Sequence, residues 1–136
     1  MRRTPRGTTL LRLAAFLVAT ATAACGDRLG GVDEECAPGE TCSCDTMGSC
    51  RLTCTGPGCD FHCNGQGACT FECPEGGCDG FGNGQGAVDM SCPGNGCTLT
   101  CSGQGSCELS GCTDNCAINC SGQGTCVNTC NAPSCG

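Results

Sequence analysis

The sequence predicts an all-β fold: a small, cysteine-rich, flattened β-solenoid of about five 19-residue coils stapled by disulfides. Three observations predict it. From Cys44 onward one 19-residue unit is written five times, with copies starting at Cys44, Cys63, Gly82, Cys101 and Cys120. The unit alternates a five-residue loop, a short arm, a four-residue loop and a second arm, with cysteines at the loop ends; the third copy lacks two of them, and the fourth inserts a residue before its third cysteine, Cys112, and shortens the next loop by one. The chain holds 21 Cys and 24 Gly but only four Phe and no Trp or Tyr, so covalent staples must replace an ordinary apolar core. Arms of three residues between cysteines, set among glycines, are too short for helix.

Residues 1–24 read as a signal peptide, with a basic start, an apolar run from Leu10 through Val18 and small residues before Cys25. Thr22-Ala23-Ala24-Cys25 resembles the lipobox of bacterial lipoproteins, in which the cysteine is lipidated and becomes the new N-terminus. Cysteine parity agrees with this, because setting Cys25 aside as a lipid anchor leaves 20, an even number that can pair completely. The resemblance implies a cell-envelope lipoprotein held in the membrane by its lipid. Gly26, where an inner-membrane retention signal has Asp, implies an outer-membrane address. Ordinary cleavage after Ala23 would instead give a secreted protein. Residues 25–35 then form the lipid anchor and a polar tether, residues 36–43 an N-terminal cap, and residues 44–136 the repeat domain.

Such a cysteine density belongs to an oxidising compartment. Charge narrows the partners. From Cys25 onward two arginines stand against 13 acidic residues, a balance of −11, and there is no Lys. That argues against nucleic acid, which needs a basic patch, and leaves a protein or polysaccharide as the kind of partner a displayed rod would meet.

Alternation along the arms puts Leu52, Phe71, Met90, Leu109 and Asn128 in one inward column. Phe61, Leu99 and Ile118 form another, with a gap near Gly80-Phe81. Two short strands per coil, stacked in parallel at about 4.8 Å, satisfy this period.

The third copy bears on disulfide connectivity. It has Gly82 and Val88 where both cysteines of its first loop belong, and keeps Cys92 and Cys97 around its second. Pairing loop ends makes that double loss harmless, whereas pairing within an arm would strand Cys78 and Cys92 and span about 13 Å. The expected pairs are Cys36–Cys42, Cys44–Cys50, Cys54–Cys59, Cys63–Cys69, Cys73–Cys78, Cys92–Cys97, Cys101–Cys107, Cys112–Cys116, Cys120–Cys126 and Cys130–Cys135. Vertical pairing between coils, such as Cys44 with Cys63, also tolerates the gap, but leaves five cysteines in each of two other columns. Each small covalent loop contributes about 2 kcal/mol by loop entropy.

The first loop reads x-Gly-Gln-Gly-x in copies two to five. Gly65 and Gly67 are expected to supply positive φ for a tight turn. Gln66, Gln85, Gln104 and Gln123 are expected to stack as an amide ladder, with a polar binding ridge as the functional reading.

No catalytic constellation stands out. His62 is the single histidine, read as an outward residue on an arm, and no cofactor or metal ligand set is predicted. A non-enzymatic structural or interaction role is the leading expectation. Its rival is a metal-thiolate module, since the cysteine density resembles that of metallothioneins, though only Cys42-Ser43-Cys44 has their close Cys-x-Cys spacing. The design is also similar to the disulfide-stapled antifreeze proteins of insects, but only one arm, Thr98-Leu99-Thr100, carries the Thr-x-Thr of an ice-binding face.

Overall fold

A computed structural model of the chain describes residues 31–130, all β-strand and turn. Eleven strands run through them: β1 (Val32–Cys36), β2 (Thr41–Cys44), β3 (Cys50–Cys54), β4 (Asp60–Cys63), β5 (Cys69–Glu72), β6 (Asp79–Gly82), β7 (Val88–Ser91), β8 (Thr98–Cys101), β9 (Cys107–Ser110), β10 (Ala117–Cys120) and β11 (Cys126–Asn128). Odd strands form a six-stranded sheet in the order β1-β3-β5-β7-β9-β11, and even strands a five-stranded sheet in the order β10-β8-β6-β4-β2. Every pairing is parallel. Each coil therefore lays one strand in each sheet, and the next coil repeats it 19 residues later, as Cys50↔Cys69 and Cys69↔Val88 show. The fold is a flattened β-solenoid of about five coils.

The core lies between the two sheets. Leu52, Phe71, Met90 and Leu109 stack in register along the odd sheet, and Phe61 and Leu99 face them from the even sheet, all buried. Phe61 and Phe71 meet across the gap with ring centroids 5.0 Å apart. Among the described residues every other buried side chain is that of a Cys or Val88, and no polar or charged residue is buried. Sulfur thus fills the two long edges of the interior, where the chain turns between sheets.

Gly80 fills the apparent gap in the even column. It is buried in register between Phe61 and Leu99, and a β-carbon there would lie 3.0 Å from Leu99 Cδ1 and 3.2 Å from both Met90 Sδ and Phe71 Cδ2. The larger residues opposite have taken its space. Phe81 consequently faces outward, beside His62.

The first coil begins earlier than residue 36. Residues 32–35, read from composition as tether, are strand β1, with Val32 in register with Cys50 and Glu34 with Leu52. The parallel edge of β3 supplies hydrogen-bond partners that offset the weak strand propensity of Val-Asp-Glu-Glu. Both ends of the odd inward column are polar, Glu34 on β1 and Asn128 on β11.

The fourth coil absorbs its inserted residue locally. Gly111 adopts φ 76° directly after β9, which returns Cys112 to the interior. The displaced loop is tied to the coil before it by Asn95 Oδ1, which accepts from Thr113 N at 2.8 Å, Thr113 Oγ1 at 2.9 Å and Asp114 N at 3.0 Å. Asn95 itself stands at φ 68°, a conformation that Asn tolerates better than most residues.

Candidate functional site

Three surfaces merit a functional reading: the edge of first loops, the outer faces of the sheets, and the sulfur-lined interior edges. Cys25 and the signal-peptide residues lie outside the described residues, as does Cys135 of the Cys130–Cys135 pair.

Along the first-loop edge the loops stack as tightly as the strands. Gln85 N donates to Gly65 O at 3.2 Å, Gln104 N to Gly84 O at 3.0 Å and Gln123 N to Gly103 O at 3.1 Å. The glycines here do not adopt positive φ, contrary to the expectation for Gly65 and Gly67; left-handed glycines sit elsewhere, among them Gly58, Gly76, Gly77 and Gly96 in the second loops. What requires glycine is contact between coils. A β-carbon on Gly65 would collide with the Thr46 carbonyl, one on Gly67 with the Gly48 carbonyl, and the clash repeats at Gly84, Gly86, Gly103, Gly105, Gly122 and Gly124.

The side-chain ladder is also displaced from its expected place. Gln66, Gln85, Gln104 and Gln123 are exposed, and no side-chain hydrogen bond among the described residues involves them. The ladder runs instead through the first residue of each loop. Asn64 Nδ2 donates to Asp45 Oδ1 at 3.0 Å, Asn83 Nδ2 to Asn64 Oδ1 at 3.4 Å, and Ser102 Oγ to Asn83 Oδ1 at 2.6 Å. Short side chains anchored next to a strand end are held at the coil spacing, whereas a Gln at the loop tip projects away from its neighbours. The tip amides form an unpaired polar row beside the ladder, with Met47, 74% exposed, at the equivalent place in the first full coil.

On the even sheet's outer face the register stacks His62 on Phe81, with ring centroids 4.9 Å apart and planes 20° apart. Sequence reading placed His62 outward but missed this partner, although the 19-residue spacing between the two was the available signal. Thr98 and Thr100 share that face with Asp79 and Phe81 on one side and Ala117 and Asn119 on the other, so they do not extend into a threonine array. Carboxylates scattered in sequence come together, Asp60 beside Asp79 and Asp89 beside Glu108. On the odd sheet Arg51 and Glu72 approach to 3.4 Å; both are well exposed, and such a pair contributes little.

Nine disulfides line the two edges, buried except at the exposed Cys120–Cys126: Cys36–Cys42, Cys44–Cys50, Cys54–Cys59, Cys63–Cys69, Cys73–Cys78, Cys92–Cys97, Cys101–Cys107, Cys112–Cys116 and Cys120–Cys126. Each closes one loop within one coil, with α-carbons 5.9 to 6.6 Å apart. The first-loop column is interrupted by Gly82 and Val88, while the second-loop column is continuous from Cys36 to Cys116. In that column sulfurs of successive coils approach one another: Cys116 Sγ lies 4.0 Å from Cys92 Sγ, and those of Cys73, Cys78 and Cys97 lie within 4.8 Å of one another. Compared with family models, curated proteins and solved structures, the chain matches none.

Proposed function

We propose that the chain is a non-enzymatic cell-envelope lipoprotein, a disulfide-stapled rod anchored through Cys25 that displays its loop edge and outer faces to a protein or polysaccharide partner. The single observation that carries this reading is the disposition of sulfur and polarity. Eighteen cysteines are joined at loop ends, all but Cys120 and Cys126 buried, and among the described residues no polar side chain is buried. Thiols held in disulfides are neither nucleophiles nor metal ligands. Polar groups lie outside in straight columns repeated at about 4.8 Å. A periodic surface of this kind suits an extended ligand better than a small molecule, which binds in a concave pocket.

The test is intact mass, before and after reduction and alkylation, on protein exported by its own signal. The expected result is ten disulfides and a diacylated N-terminal Cys25, with elemental analysis free of metal. In fractionated cells Cys25→Ala should leave the membrane. Persistence of that variant in the membrane fraction, or an unlipidated native N-terminus, would sink the anchor; free thiols with bound metal would favour the metal-thiolate module instead.

A further inference from the structure

Two neighbouring disulfides of the second-loop column bring three of their four sulfurs into one cluster. Cys73–Cys78 closes a loop in one coil and Cys92–Cys97 closes the loop stacked on it, and all four residues are 0% exposed. The Sγ atoms of Cys73, Cys78 and Cys97 lie within 4.8 Å of one another, and Cys92 Sγ is bonded to the last of these. The sequence spacing is Cys-x4-Cys twice over, which falls within the two to four intervening residues common between paired ligands of structural zinc sites. The five-residue first loops fall outside it. With metal–sulfur bonds of about 2.3 Å, sulfurs on a tetrahedron stand about 3.8 Å apart, so on reduction each bonded pair moves apart while Cys97 Sγ draws in by up to about 1 Å toward Cys73 and Cys78.

We propose that Cys73, Cys78, Cys92 and Cys97 form a latent tetrathiolate site for a soft divalent cation of the zinc and cadmium class, opened when their two disulfides are reduced. The proposal rests on the disulfide-stapled rod described above as the resting state. Opening both bonds takes four electrons. Two equivalents of a phosphine supply them, each phosphine taking an oxygen from water to become its oxide while that water's two protons go to the sulfurs. The cation then displaces the four thiol protons and binds the thiolates. Two staples within coils are thereby exchanged for one staple between coils, and the neighbouring disulfides Cys54–Cys59 and Cys112–Cys116 hold the stack on either side. The acidic surface, −11 from Cys25 onward, raises the local concentration of cations.

The test uses the full oxidised protein. Two equivalents of a water-soluble phosphine are added in the presence of Co(II), whose visible bands report a tetrahedral tetrathiolate, and unprotected thiols are then alkylated and mapped. One Co(II) per chain is expected, with Cys73, Cys78, Cys92 and Cys97 masked and Zn(II) displacing the cobalt. Cys92→Ser with Cys97→Ser should weaken binding by at least about tenfold, while Cys63→Ser with Cys69→Ser, which removes a staple from the other column, should leave it within about threefold. Masking of any other set of cysteines in the unmutated protein, absence of the bands, or equal losses in the two variants would overturn the site. Metal already bound by these four cysteines in the exported protein would overturn the disulfide resting state, and with it the latency of the site, but not the ligand set, which separates the two failures.

Discussion

Gly82 and Val88 face one another inside the third coil, where a β-carbon on Gly82 would lie 2.9 Å from Val88 Cγ2 and 3.3 Å from the Cys101 sulfur of the next coil. Valine fills much of the volume that a disulfide occupies in the coils on either side, Cys63–Cys69 and Cys101–Cys107. Gly82→Cys with Val88→Cys should therefore form one additional disulfide and leave the others in place. The gain should be about 2 kcal/mol, because the loop is short. Unreduced peptide mapping checks it; a link from position 82 to Cys101 in place of 88 would show that the two sites are not matched partners.

The first-loop glycines and glutamines should respond in opposite ways. Gly86→Ala drives a β-carbon into the Gly67 carbonyl and should cost about 1 to 3 kcal/mol by forcing the coils apart. Gln85→Ala removes an exposed side chain without a hydrogen-bond partner and should change stability by less than about 0.5 kcal/mol. Denaturant midpoints of the oxidised proteins decide between this and a glutamine ladder, which would reverse the order.

Removing the ladder's central member should have a small, measurable effect. Asn83 joins Asn64 below to Ser102 above, so Asn83→Ala loses two exposed hydrogen bonds at about 0.5 to 1 kcal/mol in total. A double-mutant cycle with Ser102→Ala should show coupling; strictly additive losses would mean the ladder contributes nothing as a unit.

Among the described residues Glu34 stands on the end strand of the six-stranded sheet. It continues the inward column of Leu52 on the edge strand β1, where an inward charge discourages pairing with another chain. Glu34→Leu should leave the disulfides intact and promote concentration-dependent association in sedimentation velocity. A variant that stays monomeric across the accessible concentration range would count against this role.

Reduction of every disulfide should unfold the domain. Among the described residues the large apolar side chains fully inside are Leu52, Phe61, Phe71, Met90, Leu99 and Leu109, with Val88 beside them, too few to offset the ordering of a hundred residues at about 1 to 2 kcal/mol each. Loss of far-ultraviolet dichroism and of protease resistance on full reduction is the expected readout; a reduced protein that kept both would mean the sulfurs are not the core.

The coil length, the inward columns and the loop boundaries were legible because they are periodic, and a 19-residue period in a parallel stack leaves one register that buries Leu52, Phe71, Met90 and Leu109 together. What escaped was contact between coils. Gly65 has the look of a turn glycine, but its constraint comes from a carbonyl 19 positions away. Gln66 is the most regular polar residue in the loops, yet Asn64, beside the strand end, is the one held close enough to bond its neighbours. Strand β1 escaped for the same reason: nothing local in Val-Asp-Glu-Glu signals a strand, and β3 makes it one. The second-loop sulfur cluster lies across coils too, so only the stacked structure brings Cys97 to Cys73.

Among the nine described disulfides every one closes a loop within a single coil, and that has a mechanical consequence. Pulled from its ends, the chain cannot draw force through a stapled loop; tension passes across the sulfur bridge and leaves the loop slack. Each coil that peels away then yields only its two five-residue arms and two bridges, roughly 40 Å of length, against roughly 65 Å for an unstapled 19-residue coil. The third coil, whose first loop carries no bridge, pays out further than its neighbours and marks its own position in a force–extension trace.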